Sequence, residues 1–200
     1  MRTNPLLERS CLTRALGRAT TTEMPKAIDY RTATPADAIT LSVLATQVFL
    51  DTYATTGVNI DLAKEATSVY SPDAFQQRLQ KAGTEITVAT VGEYMVAFLD
   101  LDSTTKCPVS SDQGLEVLRL YVQAPFQRGG VGKALMSLAE RKALERRAQH
   151  VWLTAWSGNI RALAFYPALG YRDVGFTQYN IEGNVYENRV FAKCTSESAA

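Results

Sequence analysis

Hydrophobic and polar positions along this chain change period several times, and the changes mark out its elements. Residues 27–33 (AIDYRTA) alternate as in a short strand. Thr34-Pro35 then opens a helix, with the threonine as cap and the proline in the first turn. Through residue 54 its spacing predicts one inner face of Ile39, Val43, Leu44, Val48 and Phe49. Thr55-Thr56-Gly57 breaks it. A second helical region follows, whose last piece starts at Ser71-Pro72-Asp73 and ends at Gly83. ITVAT (86–90) and YMVAFLDLD (94–102) read as strands joined in a hairpin at Val91-Gly92-Glu93. A polar stretch leads to the apolar strand LEVLRLYV (115–122), and past Pro125 a glycine-rich turn feeds another helix. That helix turns Val131, Leu135, Leu138 and Ala139 inward, and Arg141, Lys142, Arg146 and Arg147 outward. HVWLTAW (150–156) is a strand. Asn159 starts a helix that Gly170 stops, and two strands, 171–181 and 184–193, flank Glu182-Gly183. The order β-α-α-β-β-β-α-β-α-β-β predicts an α/β fold on a mixed sheet, one domain over residues 27–195 with no repeat or dividing linker. Residues 1–26, rich in Arg, Ser and Thr without sustained period, are expected to form a disordered tail.

Composition narrows the classes. Of 200 residues 46% are hydrophobic and 20% charged, as in an ordinary soluble domain. No apolar run approaches the roughly 18–20 residues of a membrane helix, so no membrane partner is expected. Lys plus Arg number 21 against 20 Asp plus Glu, and the outward basic helix face lacks interleaved aromatics, which argues against nucleic acid. Cys11, Cys107 and Cys194 are scattered and His150 is the single histidine, so neither a disulfide framework nor a metal site is expected, and the setting reads as a reducing cytoplasm. The charge is unevenly divided. Residues 28–114 hold eleven acidic and five basic residues, and residues 115–200 hold eleven basic and seven acidic. This fits a cationic ligand on one side and an anionic one on the other, and equally an uneven surface without function.

The chemistry concentrates in LYVQAPFQRGGVGKAL, residues 120–135. Gly129, Gly130 and Gly132 join a strand to a helix with Arg128 and Lys133 beside them, so backbone N–H groups and a helix N-terminus suit a pyrophosphate. A P-loop fails here, because Gln127 stands at its first glycine and Ala134 follows Lys133; the Rossmann spacing fails as well. The pattern Q/R-x-x-G-x-G/A fits Gln127, Gly130 and Gly132. It is the coenzyme A motif of the GNAT superfamily of N-acetyltransferases, which this chain resembles over roughly residues 28–194. NIRALAFYPALGY (159–171) resembles the family's downstream segment. FLDTY, VWLTAW and YENRVFAK look like its spermine/spermidine-acetyltransferase-like branch.

The resemblance implies a mostly antiparallel sheet of about seven strands with about four helices. It implies acetyl-CoA as cosubstrate, no metal, and direct acetyl transfer to the primary amine of a small cationic acceptor such as a polyamine. Leu120, Tyr121 and Val122 would meet pantetheine, with the Val122 N–H on the thioester carbonyl. The N–H groups of Arg128, Gly129, Gly130, Val131, Gly132, Lys133 and Ala134 would carry the pyrophosphate, beside Gln127. Arg128 and Lys133 fit solvated helix-start cations as well. Glu116, partly desolvated between Leu115 and Val117, is implied as general base; it fits equally a strand carboxylate paired with Arg119. Tyr166, two turns after Asn159 on one helix face, is implied as the acid for the leaving thiolate and Asn159 as a pantetheine ligand. Pro167 departs from the family and predicts a kink at Tyr166. Asp51, Tyr53, Tyr70, Tyr179, Tyr186 and Glu187 are acceptor-pocket candidates, the tyrosines also fitting plain packing. An amino acid, an antibiotic or a protein N-terminus as acceptor, or a non-catalytic acyl-CoA sensor, are the alternatives. Dimers are common in the family, which leaves a homodimer open.

Overall fold

The computed structural model describes residues 27–110, 114–181 and 184–195. The expectation of a disordered tail over 1–26 and the turn at Glu182-Gly183 lie outside the described residues. The described elements are β1 (Asp29–Thr32), α1 (Ala38–Tyr53), α2 (Ile60–Ser68), α3 (Pro72–Gln80), β2 (Thr84–Val91), β3 (Tyr94–Asp102) and β4 (Gly114–Val122). They continue with α4 (Val131–Glu145), β5 (His150–Trp156), α5 (Ile160–Ala168), β6 (Arg172–Ile181) and β7 (Asn184–Cys194). The second helical region is thus two helices. Asn59 caps α2 by accepting the Leu62 N–H, and Ser71 caps α3 by accepting the Ala74 N–H.

One seven-stranded sheet runs in the order β1-β2-β3-β4-β5-β7-β6, antiparallel throughout except for the parallel pair β4–β5. Strand alternation gives it two apolar faces. Leu99, Leu101, Leu115 and Leu153 pack against Val131, Leu135 and Ala139 of α4. Val88 and Phe98 face the opposite way, against Leu41, Leu44 and Phe49 of α1 and Phe75 of α3. The inner face of α1 needs correction. Ile39 and Val43 are 68% and 64% exposed, while Ala38, Leu41 and Ala45 are buried. Apolar residues ring this helix almost evenly, so periodicity alone could not choose the docking side.

Pro167 does not break α5 before Tyr166. The helix continues through Ala168, and the Tyr166 carbonyl accepts from the Leu169 and Tyr171 N–H groups at 3.0 and 3.1 Å. A proline in the last turn lacks one donor, but the chain leaves the helix before further bonds are needed.

Candidate active site

The parallel pair β4–β5 is short. Among the described residues, Gly114, Leu115 and Glu116 alone are in register with β5, opposite His150, Val151 and Trp152. Beyond that point β4 stays on β3 up to Val122 and β5 stays on β7 up to Trp156, so the two central strands part. A bulge assists: Leu101 pairs with Val117 and Asp100 with Arg119, leaving Leu118 unmatched and bending β4. The Gln123 N–H donates to the Val96 carbonyl of β3 at 3.0 Å. Alternation then turns the polar backbone groups of Leu120 and Val122 away from β3, into the wedge. There the Val122 carbonyl accepts from Gln127 Nε2 at 3.0 Å, which ties the glycine-rich turn to the end of the strand.

In that turn Gly130 has φ +85° and ends the loop as the cap of α4, while Arg128, with a side chain, has φ +63°. A Cβ on Gly132 would lie 3.3 Å from Phe165 Cζ, so glycine lets α4 and α5 approach closely. Arg128, Gly129, Gly130 and Lys133 are exposed, Gly132 is half-buried and Val131 is buried. The free N–H groups of a helix are those of its first turn. Ala134 is a correction here, since its N–H donates to the Gly130 carbonyl at 2.9 Å and is spent inside the helix.

A cleft of about 590 Å³ occupies the wedge and the space between α1, α2, α5 and the β6–β7 hairpin. Leu120 and Tyr121 line it, as do Asn159 and Tyr166, and so do Tyr53, Tyr70, Tyr179 and Tyr186. Asn159 caps α5, its Oδ1 accepting the Ala162 N–H at 3.1 Å. Tyr166 is buried among the rings of Phe165, Tyr171 and Phe191, at 5.2, 6.2 and 5.7 Å. Burial, with a smaller contribution from Tyr53, pushes its phenol far above the ordinary tyrosine value, so it stays protonated. Desolvation likewise pushes Tyr53 up to about 12. Tyr70 and Tyr121 share a hydrogen bond between their hydroxyls at 2.9 Å.

Three expected acidic residues stand outside the cleft. Glu116 lies where β4 and β5 are still paired, opposite Asp102 and Trp152, and strand alternation turns it away from the face of Leu115 and Val117. Burial raises its pKa, with Asp102 adding to the rise and a hydrogen bond with Thr105 opposing it. Arg119 is not its partner: that guanidinium donates to Asp100 Oδ2 at 2.8 Å and lies over the Tyr70 ring at 5.3 Å. Glu187 is exposed because its neighbours Tyr186 and Asn188 take the cleft side of β7, and it lies 3.8 Å from Arg189. Asp51 is exposed in the last turn of α1, where a carboxylate keeps its water.

The cleft's acidic group is one the sequence did not single out, Glu65 of α2. Its Oε1 accepts from the Tyr179 hydroxyl at 2.7 Å. Within IDLAKEATS it looks like any solvated helix residue, because the partner that marks it is 114 positions away.

Among the described residues no group of three or more His, Cys, Asp or Glu is placed to hold a metal, and no helix is long and apolar enough to cross a membrane. Residues 57–171 match the model of the acetyltransferase (GNAT) family. An uncharacterized N-acetyltransferase in the pepI 3′ region of Lactobacillus delbrueckii subsp. lactis is 28% identical over 128 residues, 64% of this chain and 74% of that protein. The fold is similar to that of the PaiA N-acetyltransferase from Thermoplasma acidophilum, solved with coenzyme A (TM-score 0.66, 19% identity, 84% of this chain and 99% of that one). It is also similar to yncA, a putative acetyltransferase from Salmonella typhimurium solved with acetyl-CoA (TM-score 0.59, 17% identity, 87% and 97%).

Proposed function

Because the chain belongs to the acetyltransferase (GNAT) family and is an acetyl-CoA-dependent N-acetyltransferase, we propose that it acetylates the primary amine of a small cation of the polyamine kind. The observation that carries this reading is the cleft itself. A wedge of free strand backbone ends at an exposed glycine-rich helix start, and an aromatic, carboxylate-bearing chamber opens beside it. The coenzyme A complex of PaiA, of similar fold, supports the wedge as the thioester's seat.

In this reading pantetheine lies along Leu120 to Val122, and the pyrophosphate meets the first turn of α4 with Arg128 and Lys133 beside it. The acceptor nitrogen attacks the acetyl carbonyl, and the Val122 N–H donates to the oxygen as charge develops there. The C–S bond then breaks, the nitrogen sheds a proton to solvent, and Tyr166 gives its proton to the departing thiolate. Tyr166 suits that role because burial keeps it protonated and because it lines the same cleft as β4. Glu116 has no direct part in it, since the parted strands open only beyond its position. One acetyltransferase unit over residues 27–195 accounts for the sheet, and the spermine/spermidine-like branch accounts for the aromatic chamber.

The test is release of CoA thiol from acetyl-CoA against spermidine, spermine, shorter diamines, amino acids, aminoglycosides and a peptide N-terminus. Saturable turnover selective for a polyamine is expected. Preference for an amino acid or peptide would replace the acceptor class. Tight acetyl-CoA binding with no turnover on any amine would leave an acyl-CoA sensor.

A further inference from the structure

We propose that Glu65, framed by Tyr53, Tyr70 and Tyr179, holds the non-reacting ammonium of a dicationic acceptor and so sets the enzyme's preference for diamines over monoamines. The inference rests on the acetyl-transfer reading above and names what selects the substrate. All four side chains line the cleft. Glu65 accepts a hydrogen bond from the Tyr179 hydroxyl at 2.7 Å, and the rings of Tyr53 and Tyr70 both pack on Phe49, at 5.0 and 4.9 Å. A carboxylate among aromatic faces attracts an ammonium both by charge and through the ring quadrupoles.

The other charges in the cleft sharpen the assignment. Arg119 also lines it, but Asp100, wholly buried behind it, answers that positive charge at 2.8 Å. Glu65 forms no ion pair among the described residues, so among them it is the cleft charge left for a ligand to match. Its partner Tyr179 is 45% exposed, which sets this pair at the cleft mouth, whereas Tyr166 is enclosed among rings deeper in. An acceptor with one nitrogen at the β4 wedge therefore has its second cation at Glu65.

The experiment compares kcat/KM for 1,4-diaminobutane and n-butylamine in wild type and Glu65→Gln, with calorimetric binding of 1,4-diaminobutane to both proteins. The diamine-to-monoamine ratio is expected to fall about 10- to 100-fold in Glu65→Gln, mostly through KM, as for a lost charged hydrogen bond. Raised salt should likewise erode the wild-type ratio. An unchanged ratio, or equal loss for both amines, overturns the assignment. Acetyl-CoA affinity and melting temperature are read alongside. If wild type acetylates no amine yet binds the diamine in a Glu65-dependent way, the acceptor reading fails and the subsite stands. Binding that ignores Glu65 sinks the subsite whatever the turnover.

Discussion

Arg128 sits in left-handed backbone, φ +63°, at the mouth of the glycine-rich turn. A side chain there costs on the order of 1 kcal/mol, which a glycine would not incur. Arg128→Gly is therefore expected to raise stability by up to about 1 kcal/mol in urea denaturation. It should also weaken acetyl-CoA binding if the guanidinium meets a phosphate, and unchanged affinity would return Arg128 to the solvated surface. For Tyr166, removal of the hydroxyl alone is the informative change. Tyr166→Phe should lower kcat about 100-fold or more while acetyl-CoA affinity holds, since the ring still fills its place. Because its phenol is pushed far up, kcat should show no alkaline fall from this group up to about pH 10, the ordinary tyrosine range. Glu116 speaks to stability. Burial raises its folded pKa above the unfolded value of about 4.3. Its contribution is then fully present below that value and is lost as pH rises through the folded pKa. Glu116→Gln should remove that loss, gaining stability relative to wild type at pH 8 and little at pH 4, read from denaturation midpoints.

Among the elements, α5 shows how a local rule can be broken at small cost. Pro167 is exposed and sits in the last turn, where it denies the Leu163 carbonyl a donor but leaves the turn carrying Tyr166 intact. Pro167→Ala restores that donor, and a rise of a few degrees in Tm is expected with the fold unchanged; a lower Tm would show that the ring's restriction of the unfolded chain matters more. β2, β3 and β5 were legible as short, mostly apolar runs because helices cover both faces of the sheet there, and α4 by a helical spacing that reports burial on one side. The docking side of α1 was not, since Ile39 and Val43 are as apolar as the Leu41 and Leu44 that won.

At the scale of the whole molecule, the acidic residues buried between positions 28 and 114, Asp37, Asp100 and Asp102, are answered internally. Arg78 of α3 pairs with Asp100 at 2.8 Å and Asp102 at 2.6 Å on β3, Arg119 of β4 shares Asp100, and Lys81 reaches Asp102 at 3.1 Å. Burial alone would raise the Asp102 pKa, but hydrogen bonds from Thr104, Arg78 and Lys81 hold it well below the usual carboxylate range. Glu85 is engaged by Lys142 and Arg146 across the other face. Asp100→Ala would leave two largely buried guanidiniums short of an acceptor, and a loss of about 3–5 kcal/mol is expected in urea denaturation. A loss under 1 kcal/mol would mean the cluster is wetter than its burial indicates.

By itself the sequence determined the elements, the order that makes a mixed sheet, and the glycine-rich turn that opens α4. Those depend on neighbours within a few residues: alternation, caps, and a backbone that only certain residues permit. Tyr166 and Asn159 belong with them, since seven residues of one helix fix their relation. Tertiary structure alone decided which carboxylate lines the cleft. Glu116, Asp51 and Glu187 had the right chemistry, yet the height at which β4 and β5 part, the end of a helix and the alternation of β7 set each aside. Glu65 entered instead because a hairpin from the far end of the chain folds Tyr179 onto it. No local pattern encodes a contact across 114 residues, so that part of the site exists only once the sheet is assembled.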